Sequence, residues 1–313
     1  MKTLYTLIDP YPYSQLTVHE DYKVLAKRLG YEHKFYTIDQ QIREEIDHDS
    51  SPDAIFMFEP ALLKHPHKTT KDIRRWFPNC KIVALSSEAL TYKHGYQWWY
   101  PENLTKEFEI YDGYEVDLWL DINDEIVEDY RAKGLKVDTW EMTTSHFLID
   151  LYENRVRLPK TQDIISLMGH RNPYRNALIE FLSARYKCQF GVHPDHADFN
   201  LDHMYEQFSG SRIVLGTSSP CWWSQRSMKG FRDWIGPICG TVLIYDNYPD
   251  VLKKYPTCPI YDYDKFETIV DRINELVNNP EHYYAVLATQ LSWIKENTIA
   301  IQLFNALTKY NIV

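Results

Sequence analysis

"VDLWLDINDEIVEDYRAKGLKVDTWEM" (residues 116–142) is the stretch that decides the fold class. It consists of two β-rich runs, "VDLWLDI" and "KVDTWEM", on either side of "NDEIVEDYRAKG". The middle segment begins with an Asn or Asp cap and acidic residues and ends with a glycine, which is typical of a helix. A strand, a helix and a second strand in this order predict parallel strands that are joined by a helical connection.

The same alternation extends in both directions along the chain. Towards the N-terminus, the pattern predicts strands at 4–9, 54–59 and 81–87, and a helix that stops at Gly30. Towards the C-terminus, a charged segment with a proline at 153–163 interrupts the alternation. A second series of strands and helices then begins with "IISLMG".

The two series predict an α/β fold with two doubly wound Rossmann-like domains that face each other across a cleft. We expect an N-terminal domain at residues 1–155 and a C-terminal domain at 156–313, with a hinge near 153–162. The final helices, about 281–309, could close the second domain or cross back to the first.

Composition limits the classes of function. The 313 residues are 44% hydrophobic, and the formal net charge is -10. A general binder of polyanions is expected to be basic, so any contact with nucleic acid must be a local patch. The five cysteines form no C-x-x-C pair, and no run of 18 apolar residues is present. We therefore expect a cytoplasmic protein with reduced thiols and no membrane span.

Polar residues follow several strands of the second series. In open parallel sheets, ligands bind beyond the carboxyl ends of the strands, where loops and helix N-termini meet. Small residues, hydroxyl groups and cations at these positions can bind a phosphate or a diphosphate. The candidate donor-binding residues of this kind are Gly169, Arg171, Arg175, Ser218, Asp246 and Asn247.

A second basic cluster lies in "WWSQRSMKGFRDWIGPICGTVLIYDN" (222–247), ahead of an apolar strand. Basic residues such as Arg226 and Lys229 oppose the macrodipole at a helix N-terminus, which favours anions. An external anion would resolve this conflict, although each cation could also form a structural ion pair or lie in solvent. A phosphate-binding G-x-x-x-x-G-K-[ST] loop and a G-x-G-x-x-G turn are both absent, which disfavours an ATPase or a dinucleotide oxidoreductase.

Residues 163–307 resemble the C-terminal half of GT-B-fold glycosyltransferases, particularly the CgeB-like glycosyltransferase-like group. The resemblance is carried by four motifs: "SLMGHRNPYRNALIEFL", "SRIVLGTSS", "RSMKGFRDWIGPICGTVLIYD" and "FETIVDRINELVNNPEHY". It implies that the C-terminal domain binds a nucleotide-sugar donor, such as a UDP-sugar. The acceptor would approach from the N-terminal domain, which resembles the family only in general layout.

The same resemblance implies roles for individual residues. Arg226 and Lys229 would contact the donor diphosphate. Asp233 stands where the family usually has a glutamate that anchors the ribose or the sugar, and its reach is one methylene shorter. His193, at a strand end, would face the nucleotide base. The family usually needs no bound metal, so we expect no cofactor and metal-independent activity.

A base is required if the transfer inverts the anomeric centre. Candidates at strand ends of the first series are Asp9, Glu59 and Glu88. Asp9 is preferred because a strand delivers it directly into a loop rich in proline and tyrosine. Each carboxylate could instead cap a helix or pair with a lysine.

The stretch "HPDHADFNLDH" places His193, His196 and His203 in H-x2-H-x6-H spacing. Such spacing is only loosely that of a metal site, and a polar loop is the simpler interpretation.

Three functions therefore remain open. The first is a glycosyltransferase that moves a sugar from a nucleotide-diphosphate donor to an acceptor hydroxyl group, as a hexosyl- or pentosyltransferase. The second is transfer to a hydroxymethylated DNA base. The third is a nucleotide- or sugar-binding protein that has kept the fold and lost turnover, which the departure at Asp233 permits.

Overall fold

The computed structural model describes most of the chain in twelve stretches. They are residues 2–8, 18–37, 54–58, 66–86, 115–121, 124–141, 143–166, 173–190, 200–217, 234–246, 258–262 and 264–313. The described residues divide into two compact units. The first unit runs to Glu141 and resumes at Ile299, and the second runs from Thr143 to Thr298.

The described residues of the first unit form a six-stranded parallel sheet. The order across this sheet is β2-β1-β3-β4-β5-β6. β2 lies on one side of β1 and the later strands lie on the other, so the switch point of the strand order is between β1 and β3. The strands are β1 (Thr3–Ile8), β2 (Glu32–Thr37), β3 (Ile55–Phe58), β4 (Lys81–Ser86), β5 (Leu118–Asp121) and β6 (Val137–Thr139). The helices are α1 (Glu20–Leu29), α2 (Pro66–Trp76) and α3 (Asp124–Ala132), together with the final helix of the chain.

Both faces of this sheet are covered at its central strands, which explains why β3 is apolar throughout. Along β3, Phe56 and Phe58 belong to the core that also contains Ile73 of α2. The alternate residues Ile55 and Met57 belong to the core on the other face, beneath α1. Side chains of successive strand residues point to opposite faces, so a strand that is covered on both sides cannot show polar alternation.

The first helix ends where the sequence predicts. Gly30 follows α1 with φ of 71°, a left-handed conformation that only glycine adopts at little cost. Its backbone N–H closes the last helical turn on the carbonyl oxygens of Ala26 and Lys27. The turn then leads directly into β2.

The described residues of the second unit form a five-stranded parallel sheet with the order β11-β10-β9-β7-β8. The strand order is wound as in the first unit: β8 lies on one side of β7, and β9, β10 and β11 lie on the other. The switch point is therefore between β7 and β9. The strands are β7 (Gln162–Ser166), β8 (Cys188–Phe190), β9 (Ser211–Leu215), β10 (Val242–Asp246) and β11 (Ile260–Tyr261). The helices are α4 (His146–Tyr152), α5 (Pro173–Ser183), α6 (Leu201–Ser209), α7 (Ile235–Ile238), α8 (Glu267–Val277) and α9 (Pro280–Glu296).

Helices cover both faces of the second sheet as well. Ile213 and Leu215 of β9 belong to a core that includes side chains of α5 and α8. Between them, Val214 points to the other face and approaches Gly236 of α7. A Cβ at Gly236 would lie 2.2 Å from Cγ2 of Val214, so the short helix can lie this close to the sheet only because residue 236 is glycine. The expected two doubly wound α/β units are thus confirmed.

The final helix, α10 (Ile299–Lys309), belongs to the first unit. Its residues Ile299, Leu303 and Leu307 are fully buried in the core beneath α1. The buried carboxylate of Asp21 on α1 accepts a hydrogen bond of 2.8 Å from the backbone N–H of Ala300. A negative charge is favourable at a helix N-terminus, so Asp21 fastens the first turn of α10 to the unit. The sequence left open whether the final helices close the second unit or cross back to the first, and α10 crosses back to the first.

Side chains of α9 cover part of β10. The amide group of Gln290 accepts a hydrogen bond from the backbone N–H of Leu243 at 3.0 Å and donates one to its carbonyl oxygen at 2.7 Å. The hydroxyl group of Tyr283 accepts from the N–H of Val242 at 3.2 Å. These contacts satisfy backbone groups of β10 where the two-residue strand β11 does not reach.

The first unit ends earlier than the predicted division between residues 155 and 156, because α4 belongs to the second unit. The segment around 153–162, which the sequence suggested as a hinge, is tied to that unit by its basic residues. Arg157 donates to the carbonyl oxygen of Ile238, and Lys160 donates to those of Ser209 and Gly240.

Candidate functional site

A cluster of polar side chains lies at the carboxyl edge of the second sheet, around the switch point between β7 and β9. This is the position at which open α/β sheets bind ligands. Ser166 is the last residue of β7, and its hydroxyl group donates a hydrogen bond of 2.6 Å to the carbonyl oxygen of Leu215 at the end of β9. The two strand ends are therefore fastened to each other beside the expected ligand position.

Residues 215–217, which we call the β9 turn, accept hydrogen bonds from three other elements. The first carbonyl oxygen accepts from Ser166, and the second accepts from the hydroxyl group of Tyr261 on β11 at 3.4 Å. The third accepts from Nη2 of Arg175, on α5, at 3.5 Å. Each carbonyl of the turn is thus held by a side chain from a different part of the unit.

A buried carboxylate completes the cluster. Asp246, the last residue of β10, is fully buried, and its Oδ2 accepts from the hydroxyl group of Thr217 at 3.5 Å. The guanidinium group of Arg175 reaches the same turn, and the residue is 9% exposed. Burial of charged groups is costly unless they are paired or hydrogen-bonded, so the arrangement around Thr217 is not an ordinary surface feature.

Two tyrosines, Tyr174 and Tyr261, also belong to the cluster. The side chains of Tyr174, Tyr261 and Thr217 interact through their hydroxyl groups. Burial raises the pKa of both tyrosines above the ordinary value, and the carboxylate of Asp246 raises it further. Both phenols therefore stay protonated at neutral pH, so they can donate hydrogen bonds.

Two of the predicted donor-site residues belong to this cluster. The structure brings Arg175 and Asp246 to the β9 turn from separate elements, α5 and β10. The remaining predicted donor-site residues lie outside the described residues. They are Gly169, Arg171, His193, Ser218, Arg226, Lys229, Asp233 and Asn247.

The sequence predictions did not single out Ser166, Tyr174, Thr217 and Tyr261. A signal existed for three of them, because each ends a strand or directly follows one, which is the rule that identified Asp246. Tyr174 offered only its position beside Arg175. Aromatic residues at such positions usually fill cores, and Tyr261 also does so, which obscured the role of its hydroxyl group.

The predicted catalytic carboxylates, Asp9 and Glu88, also lie outside the described residues. The strands that precede them in the sequence, β1 and β4, end at Ile8 and Ser86. Both strands run in the same direction within the first sheet, so their carboxyl ends lie at one edge.

Basic residues at the opposite edge of the second sheet are held by backbone oxygens. Nζ of Lys160 donates to the carbonyl oxygens of Ser209 and Gly240 at 3.1 and 3.0 Å and to the hydroxyl group of Thr241 at 3.1 Å. Burial and, to a lesser extent, the nearby charge of Arg157 lower the pKa of Lys160 to about 8. The acceptors lie at the ends of α6 and of the α7 segment, where carbonyl groups favour cations.

The histidine-rich stretch shows only one of its histidines. His203 lies on α6, where it contacts Gln207 and Glu206, whereas His193 and His196 lie outside the described residues. Within the described part of the chain, no three residues of the types His, Cys, Asp and Glu are grouped to hold a metal ion. None of the helices in that part is both long and apolar enough to span a bilayer.

Comparison with solved structures defines the class of protein architecture. The two parallel-sheet units are those of the GT-B fold found in glycosyltransferases. The chain is similar over 99% of its length to 98% of a structure described as trehalose-6-phosphate from E. coli bound with UDP-2-fluoro glucose, with a TM-score of 0.65 and 10% identity.

Two further structures share this fold. An alpha-glucosyltransferase in complex with UDP and a 13-mer DNA containing a HMU base has a TM-score of 0.69 and 10% identity, and 99% of each chain is covered. The Candida albicans trehalose-6-phosphate phosphatase N-terminal domain has a TM-score of 0.61 and 10% identity, over 99% of this chain and 96% of that one. No protein-family model and no curated protein sequence matches the chain.

Proposed function

We propose that the chain is a glycosyltransferase that moves a sugar from a nucleotide-diphosphate donor to an acceptor hydroxyl group. The observation that carries this proposal is the convergence of Arg175, Thr217 and Asp246 at the carboxyl edge of the second sheet. The fold is one in which similar proteins hold UDP or a UDP-sugar analogue. A buried cation, hydroxyl groups and a carboxylate are the groups needed to orient a diphosphate and the sugar hydroxyls.

The chemistry of such a transfer depends mainly on position and charge. As the bond between the sugar and the diphosphate breaks, negative charge develops on the leaving diphosphate, and fixed cations stabilise it. We assign this role to Arg175 together with Arg171, Arg226 and Lys229. In this proposal Asp233 anchors the ribose or the sugar.

The remaining roles follow from the same assignment. His193 faces the nucleotide base, and Gly169 and Ser218 line the phosphate site. Asp246 and Asn247 hold donor hydroxyl groups. If the transfer inverts the anomeric centre, Asp9 is the general base, with Glu88 as the second candidate.

The finer family assignment is the CgeB-like glycosyltransferase-like group, on the strength of the four motifs in residues 163–307. Because two of the similar structures are named for glucose, we favour a hexosyl donor over a pentosyl donor. We also propose a metal-independent reaction in the cytoplasm, with cations of the chain in place of a divalent ion. The described cysteines are free thiols, as expected in a reducing compartment.

A second candidate function is transfer to a hydroxymethylated DNA base. It is favoured by the likeness to an alpha-glucosyltransferase held in complex with DNA that contains an HMU base. The net charge of -10 opposes it, unless a basic groove exists locally. Loss of turnover with retained binding is the third alternative.

The direct test is incubation with a panel of radiolabelled nucleotide sugars, with and without DNA that contains hydroxymethylated bases. Donor hydrolysis or transfer to a small acceptor supports the first function, and label on DNA supports the second. Donor binding without any turnover supports the inactive alternative. Binding that is lost in excess chelator and restored by manganese or magnesium would contradict the metal-independent proposal.

A matched pair of variants tests the site itself. Arg175→Met removes the buried cation at the β9 turn, and we expect UDP affinity to fall at least about tenfold. Arg212→Met is the control, because Arg212 lies at the other end of β9, is half-exposed and pairs with Asp163 at 3.6 Å. Equal UDP affinity in both variants, with both folded by circular dichroism, would contradict the proposed donor site.

A further inference from the structure

The β9 turn has a feature that the donor-site assignment does not require. All three of its carbonyl groups are hydrogen-bonded to side chains from other elements, which are Ser166, Tyr261 and Arg175. The backbone N–H of Gly216 is also bonded, to the carbonyl oxygen of Ile244 on β10 at 2.9 Å. The backbone of the turn is therefore fixed from three sides before any ligand binds.

Fixing a carbonyl group also fixes the N–H group of the same peptide unit. The peptide bonds of the described chain are trans, and in a trans peptide the C=O and N–H groups point in opposite directions. Since Tyr261 holds the carbonyl oxygen of Gly216, the N–H of Thr217 points away from Tyr261. A backbone donor with a fixed direction binds an anion without first losing conformational freedom.

Tyr261 is the member of this arrangement that comes from furthest along the chain. It lies on the two-residue strand β11, which pairs with β10 through Tyr245 with Ile260 and Asp246 with Tyr261. The tyrosine thus connects the β9 turn to the strand end that carries Asp246. Its ring packs in the core of the second unit while its hydroxyl group bonds Gly216, so the ring and the hydroxyl group have separable roles.

We propose that Tyr261 is a positioning residue for the donor diphosphate, which it serves by holding the β9 turn through the carbonyl group of Gly216. The proposal rests on the proposed function, because it assumes that the turn faces the diphosphate. Tyr261 need not contact the ligand. Its hydroxyl group acts through the direction of the Thr217 peptide and through the neighbouring carboxylate of Asp246.

Tyr261→Phe tests this role, because it removes the hydroxyl group and keeps the ring. The matched control is Tyr283→Phe at the amino edge of the same sheet. The hydroxyl group of Tyr283 donates to the carbonyl oxygen of Arg212 at 2.6 Å, and the residue is 9% exposed. Both variants remove a hydrogen bond from a buried hydroxyl group to the backbone of β9 or its turn, at opposite ends. Tyr283→Phe also removes the bond from the N–H of Val242, and Tyr261→Phe also removes the contacts with Tyr174 and Thr217.

The probes are UDP and uridine, titrated into wild type and both variants by calorimetry. We expect Tyr261→Phe to weaken UDP binding by about threefold to tenfold and uridine binding by less than about twofold. Tyr283→Phe should leave both affinities within about twofold. Equal losses for UDP and uridine, or equal losses in the two variants, would overturn the proposal, because a general structural defect produces that result.

Amide hydrogen exchange in the ligand-free protein separates this inference from the proposed function. Exchange at the N–H of Gly216, which is hydrogen-bonded to the carbonyl oxygen of Ile244, should accelerate by at least about fivefold in Tyr261→Phe and stay unchanged in Tyr283→Phe. Unchanged exchange in Tyr261→Phe would refute the holding role even if wild type binds UDP. Failure of wild type to bind UDP would refute the proposed function, and the assignment to the diphosphate with it, even if exchange accelerates.

Discussion

The two edges of the second sheet both carry basic side chains, but the groups around them differ. At the amino edge, Arg157 and Lys160 donate to carbonyl oxygens at the ends of helical segments. At the carboxyl edge, Arg175 reaches the β9 turn from the first turns of α5, where backbone N–H groups begin a helix. In a parallel sheet with helical connections, helices end at the amino edge and begin at the carboxyl edge. A cation at the amino edge therefore meets carbonyl groups at helix ends, whereas Arg175 at the carboxyl edge meets the carbonyl oxygen of Thr217, whose hydroxyl group bonds the buried carboxylate of Asp246.

The largest effect is expected from Lys229→Ala and Arg226→Ala. Each removes a cation that we place against the diphosphate, where a charge-assisted hydrogen bond contributes about 1.5–3 kcal/mol. UDP affinity should fall by roughly tenfold to a hundredfold in each variant, measured by calorimetric titration. The melting temperature should stay close to that of wild type, and unchanged affinity in both variants would place the diphosphate elsewhere.

A smaller effect is expected at the amino edge, on stability instead of on UDP affinity. Lys160→Met removes three hydrogen bonds that join the segment before β7 to α6 and β10. The free energy of unfolding should fall by about 1–2 kcal/mol in urea titrations, while UDP affinity stays within about twofold. Normal stability with weakened UDP binding in Lys160→Met would contradict the structural role that we assign to the amino edge.

The pH dependence of Lys160 sharpens the same comparison. Its pKa is about 8 in the folded protein, below the ordinary lysine value of 10.5, so the unfolded chain binds more protons between these values. The contribution of Lys160 to the free energy of unfolding therefore rises as pH increases from about 8 to 10.5. Because the side chain is partly open to solvent, we expect the difference between wild type and Lys160→Met to grow by only about 1 kcal/mol. A difference that shrinks over this range would contradict the lowered pKa.

The smallest effect concerns an exposed ion pair at the first turn of α6. Nη1 of Arg155 lies 2.6 Å from Oδ1 of Asp202, whose side chain is 71% exposed. Asp202→Asn should change the free energy of unfolding by at most about 0.5 kcal/mol, and the change should decrease further in 0.5 M salt. A loss above about 1.5 kcal/mol would contradict the expectation that exposed ion pairs of this unit contribute little to stability.

Strand order along the chain was the predictable part of the fold. Alternation of apolar strands with capped helices, as in residues 116–142, requires only local pattern and predicted both parallel sheets. The destination of α10 was not predictable, because an apolar helical face fits either unit. The hydrogen bond between Asp21 and Ala300 that favours the first unit joins residues at opposite ends of the chain.

The candidate site was predictable to a similar degree. Asp246 could be found because it ends an apolar strand, and Arg175 because it follows one. The contribution of Tyr261 depends on pairing between β10 and a strand of two residues, which has no period to detect. Lys160 and Arg157 looked like part of a charged hinge, since the carbonyl groups that hold them come from residues 209–240 and are invisible in the local sequence.

The return of α10 to the first unit has a consequence for synthesis on the ribosome. Translation proceeds from the N-terminus, so every residue of the second unit has been added before Ile299 is reached. Until then, the face of the first sheet that Leu303 and Leu307 later cover stays open to solvent or to chaperones. The first unit is therefore synthesised first, but it cannot complete its core until its last helix has been synthesised, after the whole of the second unit.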